Sequence, residues 1–115
     1  PLVKMDWRHM EQVIINILLN AIQALNKDGR IKIRTGSGGG FLKVEIEDNG
    51  PGVGIEIRDK IFDPFFTTKP VGQGTGLGLS ICAGIVSEHG GSIHAESVEQ
   101  GGALFTITLP LDKEI

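Results

Sequence analysis

Cysteine is almost missing from this chain of 115 residues, which has only Cys82 and so cannot form an internal disulfide. A single cysteine fits a reducing compartment, and we expect a cytoplasmic domain, although a longer parent protein can still be anchored in a membrane. No apolar run reaches the length of a membrane span and no signal peptide opens the sequence, so we expect no membrane contact by this domain. Because Cys82 stands in an apolar helical stretch, we expect a buried thiol rather than a nucleophile.

Basic residues are few and scattered, since 11 lysines and arginines stand against 14 acidic residues and the net charge is −3. The sequence therefore lacks the basic patch of a nucleic-acid-binding protein. A bound anion would have to be held mainly by backbone N–H groups and one or two cations. Glycine, in contrast, is abundant, and its 17 residues are clustered. We expect residues 1–115 to form one domain with a two-layer core.

Hydrophobic spacing divides the chain into helices and hairpins. Apolar residues at helical spacing predict helices over 6–25, 55–61 and 76–89. Alternating apolar and polar residues predict two hairpins, whose strands lie at 31–35, 41–48, 92–97 and 103–109. The glycines of 36–40, between the first two strands, are interpreted as a turn. These elements predict an α+β two-layer sandwich, in which helices cover one face of a mixed, mostly antiparallel sheet.

The first predicted helix has an unusual polar sector. At about 100° per residue, its uncharged amides fall on one side, and these are Gln12, Asn16, Asn20 and Gln23. The middle of the helix is otherwise apolar, including Ile15 and Leu19, which predicts a largely buried helix whose amides need fixed partners. Two interpretations remain open: a polar row paired with neighbouring backbone, or a ligand surface whose amide oxygens bind a hard cation such as Mg²⁺.

A second polar feature is the segment Asp48 to Gly52, at the end of the second predicted strand. The period of two places Asp48 on the same face as the apolar residues Val44 and Ile46. A buried acid needs a hydrogen-bond donor or a cation, and the glycines that follow allow a backbone or a flat ligand to approach closely. The alternative is an Asx turn at a strand end. The inward direction and the glycines favour a binding site.

The third feature is a glycine-rich segment, Gly72 to Ser80, that runs directly into the second long helix. Its free N–H groups and the positive end of the helix dipole would make a phosphate site. The segment lacks the ending of a P-loop and follows no clear strand, so neither common nucleotide fingerprint applies. A merely flexible loop is the alternative.

Together and in this order, these segments resemble the catalytic, ATP-binding domain of sensor histidine kinases in the GHKL superfamily. Five motifs carry the resemblance over nearly the whole chain, and they are Glu11 to Ala21 (the N box), Asp48 to Gly52 (the first glycine box), Ile61 to Lys69 (the F box), Gly74 to Ser80 (the second glycine box) and Gly101 to Phe105 (the last box). The short stretch between Phe66 and Gly74 is most similar to the nitrogen-regulation type, whose ATP lid is brief. The resemblance implies the Bergerat fold.

The resemblance also implies roles for the residues that match these motifs. Asp48 would accept a hydrogen bond from the adenine amino group, and Asn20 would ligate Mg²⁺ through its side-chain oxygen. Asn16 would orient metal, water or phosphate, and Lys69 would contact the terminal phosphates. The other residues implied in ATP binding are Gly50, Gly52, Phe62, Thr67, Thr68, Gly74, Thr75, Gly76, Leu77 and Gly78. Phosphoryl transfer requires mainly positioning and charge neutralisation, which these groups would supply.

Asn16 also bears on the type of reaction. In the ATP-hydrolysing members of the superfamily a glutamate that activates water commonly occupies this place, and an amide cannot act as that base. The resemblance therefore implies transfer of the ATP γ-phosphoryl group to a histidine on a separate dimerisation domain, with a response regulator as the further partner. Two alternatives stay open: a protein-serine kinase of the anti-sigma type, and a nucleotide-binding sensory or scaffold module without transfer.

Three departures from the family pattern stand out. Gln23 occupies a place that is basic in many relatives, and Ala103 stands where a hydroxyl residue is frequent. No histidine has the sequence setting of a phosphorylated site, and we interpret all three as surface or packing residues: His9, His89 and His94. The phosphoacceptor domain is therefore expected upstream of Pro1. We expect the isolated domain to be a monomer that autophosphorylates very little, and the full-length parent to be a homodimer.

Overall fold

The structure is a computed structural model of the chain, and it describes residues 6–24, 29–50, 52, 60–63, 78–98 and 101–111. Within these residues it contains two helices and four strands, which are α1 (Trp7–Ala24), β1 (Ile31–Gly38), β2 (Phe41–Asp48), α2 (Gly78–Glu88), β3 (Ser92–Ser97) and β4 (Ala103–Pro110). Each corresponds to an element predicted from the sequence. Of the short helix predicted over 55–61, only Lys60 and Ile61 are described, and they form a turn.

α1 begins directly after Asp6, which caps it. The Asp6 side-chain oxygen Oδ1 accepts a hydrogen bond from the Arg8 N–H at 3.1 Å, and the Asp6 carbonyl accepts one from the Met10 N–H at 3.0 Å. A side-chain acceptor at this place satisfies one of the N–H groups that the first turn of a helix leaves unpaired. The predicted start of this helix is therefore confirmed.

α2 ends at Glu88 because the glycine that follows shortly after it closes the last turn. Gly90 adopts a φ of 76°, and its N–H donates to the Ser87 carbonyl at 2.9 Å. A glycine in the left-handed region after a helix satisfies carbonyl groups that would otherwise lack a donor. The helix stops one residue before the predicted end at His89, which is within the ordinary variation of helix ends.

The turn between β1 and β2 is shorter than predicted. β1 continues through Gly38, which lies opposite Phe41, so that only Gly39 and Gly40 form the turn. Their φ values are 62° and 83°, and positive φ at both central residues matches the right-handed twist of the flanking strands. The prediction of a turn over 36–40 was wrong for its first three residues, because so tight a turn lets strand pairing extend up to it.

The four strands form one sheet in the order β1-β2-β4-β3, and each neighbouring pair is antiparallel. The outer pairs, β1 with β2 and β3 with β4, are the two predicted hairpins. β2 and β4 pair at the centre, from Phe41 opposite Pro110 to Glu47 opposite Leu104. The α+β two-layer fold is therefore confirmed, although no parallel pair occurs in the described part of the sheet.

The hydrophobic core lies between one face of this sheet and the two helices. Every second residue of β4 is buried, from Ala103 to Leu109. The buried residues that make up the core are Met10, Val13, Ile17, Ile46, Cys82, Ile85, Val86, Ala95, Ala103, Phe105, Ile107 and Leu109. Cys82 is one of them, so the predicted buried thiol is confirmed. Removal of this apolar surface from water is the main contribution to the stability of the fold.

α1 is buried on one side only, which corrects the prediction of a largely buried helix. Ile15 and Leu19 are 46% and 49% exposed, whereas Val13 and Ile17 are fully buried. The reason is the two-layer architecture, because a single sheet covers only one face of a helix that packs on it. Despite this apolar surface, neither described helix combines the length and the hydropathy of a membrane span.

Candidate functional site

Asp48, the last residue of β2, is the one buried charged side chain among the described residues, with 5% of its surface exposed. It follows Ile46 on the inward face of β2, as strand alternation predicted. Its partner across the sheet is the apolar residue Ile31. Burial of a carboxylate is unfavourable unless hydrogen bonds replace the lost water, so the donors around Asp48 decide what the site can do.

Two backbone N–H groups donate to the same oxygen of this carboxylate. The Gly50 N–H lies 2.9 Å from Oδ1, and the Ala103 N–H lies 3.3 Å from it. The contact with Gly50 is the Asx turn that the sequence left open as an alternative, while the contact with Ala103 joins β2 to β4. No described residue donates to the other oxygen, Oδ2. The local turn therefore occurs together with a carboxylate oxygen that receives no hydrogen bond from the described residues.

Two glycines allow the chain to close tightly around Asp48. Gly52 and Gly102 have φ values of 85° and 112°, a region that residues with side chains rarely adopt. A Cβ on Gly52 would lie 2.8 Å from the Gly102 carbonyl oxygen and 3.1 Å from Ser97 Oγ. The predicted first and last glycine boxes are thus in direct contact, and Gly102 also adjoins the backbone of Asp48.

Asn49 fixes the start of the loop that follows β2. Its side-chain oxygen accepts a hydrogen bond from the Arg30 N–H at 2.7 Å, and its own N–H donates to the Arg30 carbonyl at 3.2 Å. Arg30 precedes β1, so these bonds extend the β1–β2 hairpin by one pair beyond its last strand residues. The loop carrying Gly50 and Gly52 therefore leaves the sheet from a defined position.

The predicted amide sector of α1 is only partly buried. Asn16 and Asn20 are half-buried, Gln12 is exposed, and the side chain of Gln23 lies outside the described residues. Within the described residues, the Asn20 side chain has no hydrogen-bond partner. In the part of α1 that the structure describes, the sector is therefore not a continuous row of amides paired with backbone.

Asn16 has a partner on α2, the thiol of Cys82. Burial raises the pKa of Cys82, and the hydrogen bond with the Asn16 side chain lowers it by less. The thiol also donates to the Val13 carbonyl, with 3.7 Å between sulfur and oxygen. The Asn16 side chain thus lies beside a thiol that the sequence had predicted only as a core residue.

Comparison with known protein families matches residues 5–113 to the family described as "Histidine kinase-, DNA gyrase B-, and HSP90-like ATPase". The match covers nearly the whole chain and every described element of the sheet and of the two helices. The chain belongs to this ATPase family. Membership of an ATPase family implies that the domain uses a nucleotide. Asp48, Asn16 and Asn20 therefore belong to a nucleotide-using domain.

Within the ATPase family, the chain is similar to sensor histidine kinases. It is 40% identical over 112 residues to sensor histidine kinase ZraS of Escherichia coli (strain K12), an alignment that covers 97% of this chain and 24% of ZraS. It is 44% identical to the solved catalytic domain of histidine kinase ThkA, with a TM-score of 0.84, covering 94% of this chain and 70% of that one. The chain is therefore a histidine-kinase catalytic domain of this ATPase family by sequence and by fold.

A further solved structure shows ThkA together with another protein. The chain is 39% identical to ThkA in its complex with the response regulator protein TrrA, with a TM-score of 0.81, covering 96% of this chain and 30% of that one. The chain spans about a quarter of the length of the ZraS relative that it matches.

Two more residues predicted to bind nucleotide in this ATPase domain lie within the described structure. Phe62 packs on Phe105 of β4, with ring centroids 6.3 Å apart and planes at 89°, so its ring also anchors the F box to the core. Gly78 is the first residue of α2. Seven predicted site residues lie outside the described residues, namely Thr67, Thr68, Lys69, Gly74, Thr75, Gly76 and Leu77.

One contact of the Asp48 carboxylate was not predicted from the sequence. Ala103 stands where relatives frequently have a hydroxyl residue, and its side chain cannot make that residue's hydrogen bond. Its backbone N–H nevertheless donates to Asp48, and this contact does not depend on the side chain. The signal was present in the glycine pair before it, since Gly102 permits the close approach. His9 and His94 are exposed and His89 is half-buried against Ile85, so their positions are those of surface and packing residues.

Proposed function

We propose that this domain binds ATP with its adenine at Asp48 and transfers the γ-phosphoryl group to a histidine on a separate domain of the parent protein. The observation that carries the proposal is the buried Asp48 carboxylate, with Oδ1 held by two backbone N–H groups and Oδ2 without a described donor. The amino group of adenine would supply that donor. Guanine would place a carbonyl oxygen against the carboxylate instead, so the site would select ATP over GTP.

The triphosphate would lie near the N-terminus of α2. A Cβ on Gly78 would meet no atom of the other elements that the structure describes within 4 Å, which leaves room for a ligand at the first residue of the helix as far as those elements are concerned. Free N–H groups and the helix dipole favour a phosphate at such a place. In this proposal the segment that precedes α2 contacts the phosphates through Gly74, Thr75, Gly76 and Leu77. The F box adds Thr67, Thr68 and Lys69, with Lys69 at the terminal phosphates.

Asn20 is the proposed ligand of Mg²⁺. Its amide oxygen is the type of hard donor that this ion prefers, and the half-buried side chain has no hydrogen bond to another described residue. No group of three or more acidic, histidine or cysteine side chains in the described residues could hold a metal by itself. The ion would therefore arrive with ATP, held by phosphate oxygens, water and Asn20, and would neutralise phosphate charge during transfer.

Asn16 supports transfer to a protein rather than hydrolysis. Its amide cannot take a proton from water, so in this proposal Asn16, which lies beside Cys82, serves as an orienting group. In the proposed reaction an imidazole nitrogen bonds to the γ-phosphorus while the bond from phosphorus to the β–γ bridging oxygen breaks. ADP leaves with that electron pair, and the remaining imidazole N–H loses its proton to solvent.

The proposed partners are the dimerisation domain that carries the acceptor histidine and a response regulator that receives the phosphoryl group from it. The complex of ThkA with TrrA supports the second partner. We infer a cytoplasmic location for this domain, a monomeric state in isolation and a dimeric parent. Since none of its three histidines has the setting of a phosphorylated site, the isolated domain would autophosphorylate very little.

The first test is calorimetric titration of the domain with a non-hydrolysable ATP analogue and with GTP, each with and without Mg²⁺. We expect binding of the ATP analogue that exceeds GTP binding by at least about tenfold and weakens without Mg²⁺. Asp48→Ala should abolish that preference. Glu96→Ala, which removes an exposed acid from β3, should leave it unchanged. A folded domain that binds neither nucleotide would contradict the proposal.

The second test supplies a histidine-containing dimerisation domain and follows the labelled γ-phosphate. Transfer to histidine gives an acid-labile phosphoramidate, whereas a serine kinase gives an acid-stable phosphate ester and a hydrolase releases inorganic phosphate without labelled protein. We expect acid-labile label on the supplied domain, lost with Asp48→Ala because ATP no longer binds. Acid-stable label would favour the serine-kinase alternative.

A further inference from the structure

Gly102 determines how closely the β3–β4 hairpin approaches Asp48. Its φ is 112°, and a Cβ at this position would overlap the Asp48 carbonyl oxygen and lie 2.8 Å from the Asp48 carbonyl carbon. Any side chain at position 102 would therefore push the start of β4 away from the end of β2. The Ala103 N–H, which belongs to the next residue, would move away from the Asp48 carboxylate with it.

The Gly102 peptide is also held from its other side. Its carbonyl oxygen accepts the Val98 N–H at 2.9 Å, and Gly52 approaches so closely that a Cβ there would lie 2.8 Å from the same oxygen. Gly102 thus lies between Asp48 and Gly52 with no room for displacement towards either. The orientation of the N–H that follows it is determined by backbone packing and not by a side chain.

We propose that Gly102 and the Ala103 N–H are positioning groups that hold the Asp48 carboxylate in one orientation, with Oδ1 towards the backbone and Oδ2 towards the ligand. The inference rests on the proposed binding of adenine at Asp48. It adds that the site offers a single acceptor oxygen to position 6 of a purine. The specificity of the site for a 6-amino purine then depends on one atom, Oδ2, whose place is fixed by the last glycine box.

Asp48→Asn tests this orientation directly. The N–H groups of Gly50 and Ala103 require an acceptor, so the amide oxygen of the new side chain should occupy the place of Oδ1. The amide NH₂ group must then take the place of Oδ2 and face the ligand. A site that accepts a hydrogen bond from a 6-amino purine should thereby become one that donates to a 6-oxo purine.

The measurement compares ATP with inosine triphosphate, a 6-oxo purine that lacks the 2-amino group of guanine. Affinities of both nucleotides with Mg²⁺ are determined for the natural chain and for Asp48→Asn, and circular dichroism shows that each is folded. We expect the ratio of ATP affinity to inosine triphosphate affinity to fall at least about tenfold in the variant. Because the same two nucleotides are compared in both proteins, other differences between the bases cancel. An unchanged ratio in folded Asp48→Asn overturns the inference.

The role of Gly102 is tested by a matched pair of glycine variants. Gly101 and Gly102 are adjacent and have φ values of 99° and 112°, but among the described residues a Cβ on Gly101 would meet nothing within 4 Å. Gly101→Ala and Gly102→Ala therefore introduce similar backbone strain, while only the second displaces Asp48. We expect Gly102→Ala to weaken ATP binding at least about tenfold relative to Gly101→Ala. Equal affinities in the two folded variants would contradict the positioning role.

An NMR readout separates positioning from general loss of stability. In Asp48→Asn the ¹H–¹⁵N signals of Gly50 and Ala103 should stay near their original positions, because both N–H groups keep an acceptor. In Asp48→Ala both should move, because the acceptor is gone. Large shifts of both signals in both variants would overturn the inference. This readout does not require that the protein bind inosine triphosphate. If the natural chain binds no nucleotide at all, the proposed function fails first and this specificity argument fails with it.

Discussion

At the scale of single residues, burial of Cys82 couples one thiol to the stability of the fold. Burial raises the pKa of this thiol above its ordinary value, so the unfolded chain loses the thiol proton at lower pH than the folded chain does. The thiol therefore favours the folded state below the unfolded-state pKa of about 8.5, and this contribution is lost as the pH rises through the folded-state pKa.

We accordingly expect the free energy of unfolding to fall between about pH 7.5 and pH 10, more in the natural chain than in Cys82→Ala. Urea unfolding of both proteins at the two pH values measures the difference, and all other titrating groups are common to both. Cys82→Ala also removes a buried side chain, so it should be less stable at pH 7.5 and the two curves should converge at high pH. Parallel losses of stability would show that the thiol does not titrate differently on folding.

Asp48 shows what a residue's local pattern can and cannot predict. Its inward direction follows from the period of two in β2, and its contact with the Gly50 N–H follows from turn chemistry two residues away. The Ala103 N–H could not be predicted in this way, because it reaches Asp48 across 55 positions of sequence. Only the assembled β2–β4 pair brings that donor to the carboxylate.

At the scale of helices and strands, the predictions succeeded where hydrophobic periodicity defines the element. They failed where the outcome depends on which other elements pack beside it. β2 and β3 have the predicted bounds, because the alternation of apolar and polar residues extends over the whole of each strand. The turn before β2 was predicted too long, since glycine content alone does not distinguish a strand residue such as Gly36 from a turn residue such as Gly39. Apolar content likewise overstated the burial of α1.

The start of α1 and the end of α2 are joined through the imidazole of His89. The Asp6 N–H donates to Nε2 at 2.9 Å, so the ring proton resides on Nδ1, which donates to the Ile85 carbonyl at 2.8 Å. Both ring nitrogens of the neutral side chain are thereby used. The ring connects the capping residue of one helix with the last turn of the other, over a separation of 83 positions.

His89→Ala should therefore destabilise the domain by about 1–3 kcal/mol, because two hydrogen bonds are lost and the Asp6 N–H is left without its acceptor. Thermal and urea unfolding measure the change. The matched control is His94→Ala, which removes an exposed imidazole from β3 and should change stability by less than about 0.5 kcal/mol. Equal effects of the two substitutions would mean that the ring does not stabilise the contact between the helices.

At the scale of the whole molecule, the central β2–β4 pairing is what assembles the site. The two hairpins are local structures, and each could be predicted from its own segment. Their joining along β2 and β4 places the end of one, at Asp48, beside the turn of the other, at Gly102. Periodicity in the sequence contains no information about which strands of separate hairpins pair, so the pairing of β2 with β4 was not predicted.

The same topology predicts an uneven stability across the sheet. In the sheet formed by the described residues β1 is an edge strand, and seven of its eight residues are exposed, whereas β4 lies between two strands and buries every second residue. Amide exchange in β4 then requires opening of the whole core, while β1 can separate from β2 at lower cost in apolar surface.

We expect the β4 amides that pair with β2 and β3 to exchange only through global unfolding, with free energies equal to that from urea unfolding. The β1 amides paired with β2 should exchange with smaller free energies, and hydrogen exchange followed by NMR resolves the two groups. Equal protection of β1 and β4 would instead mean that the sheet and its helices open as a single cooperative unit, in which the exposure of β1 has no energetic consequence.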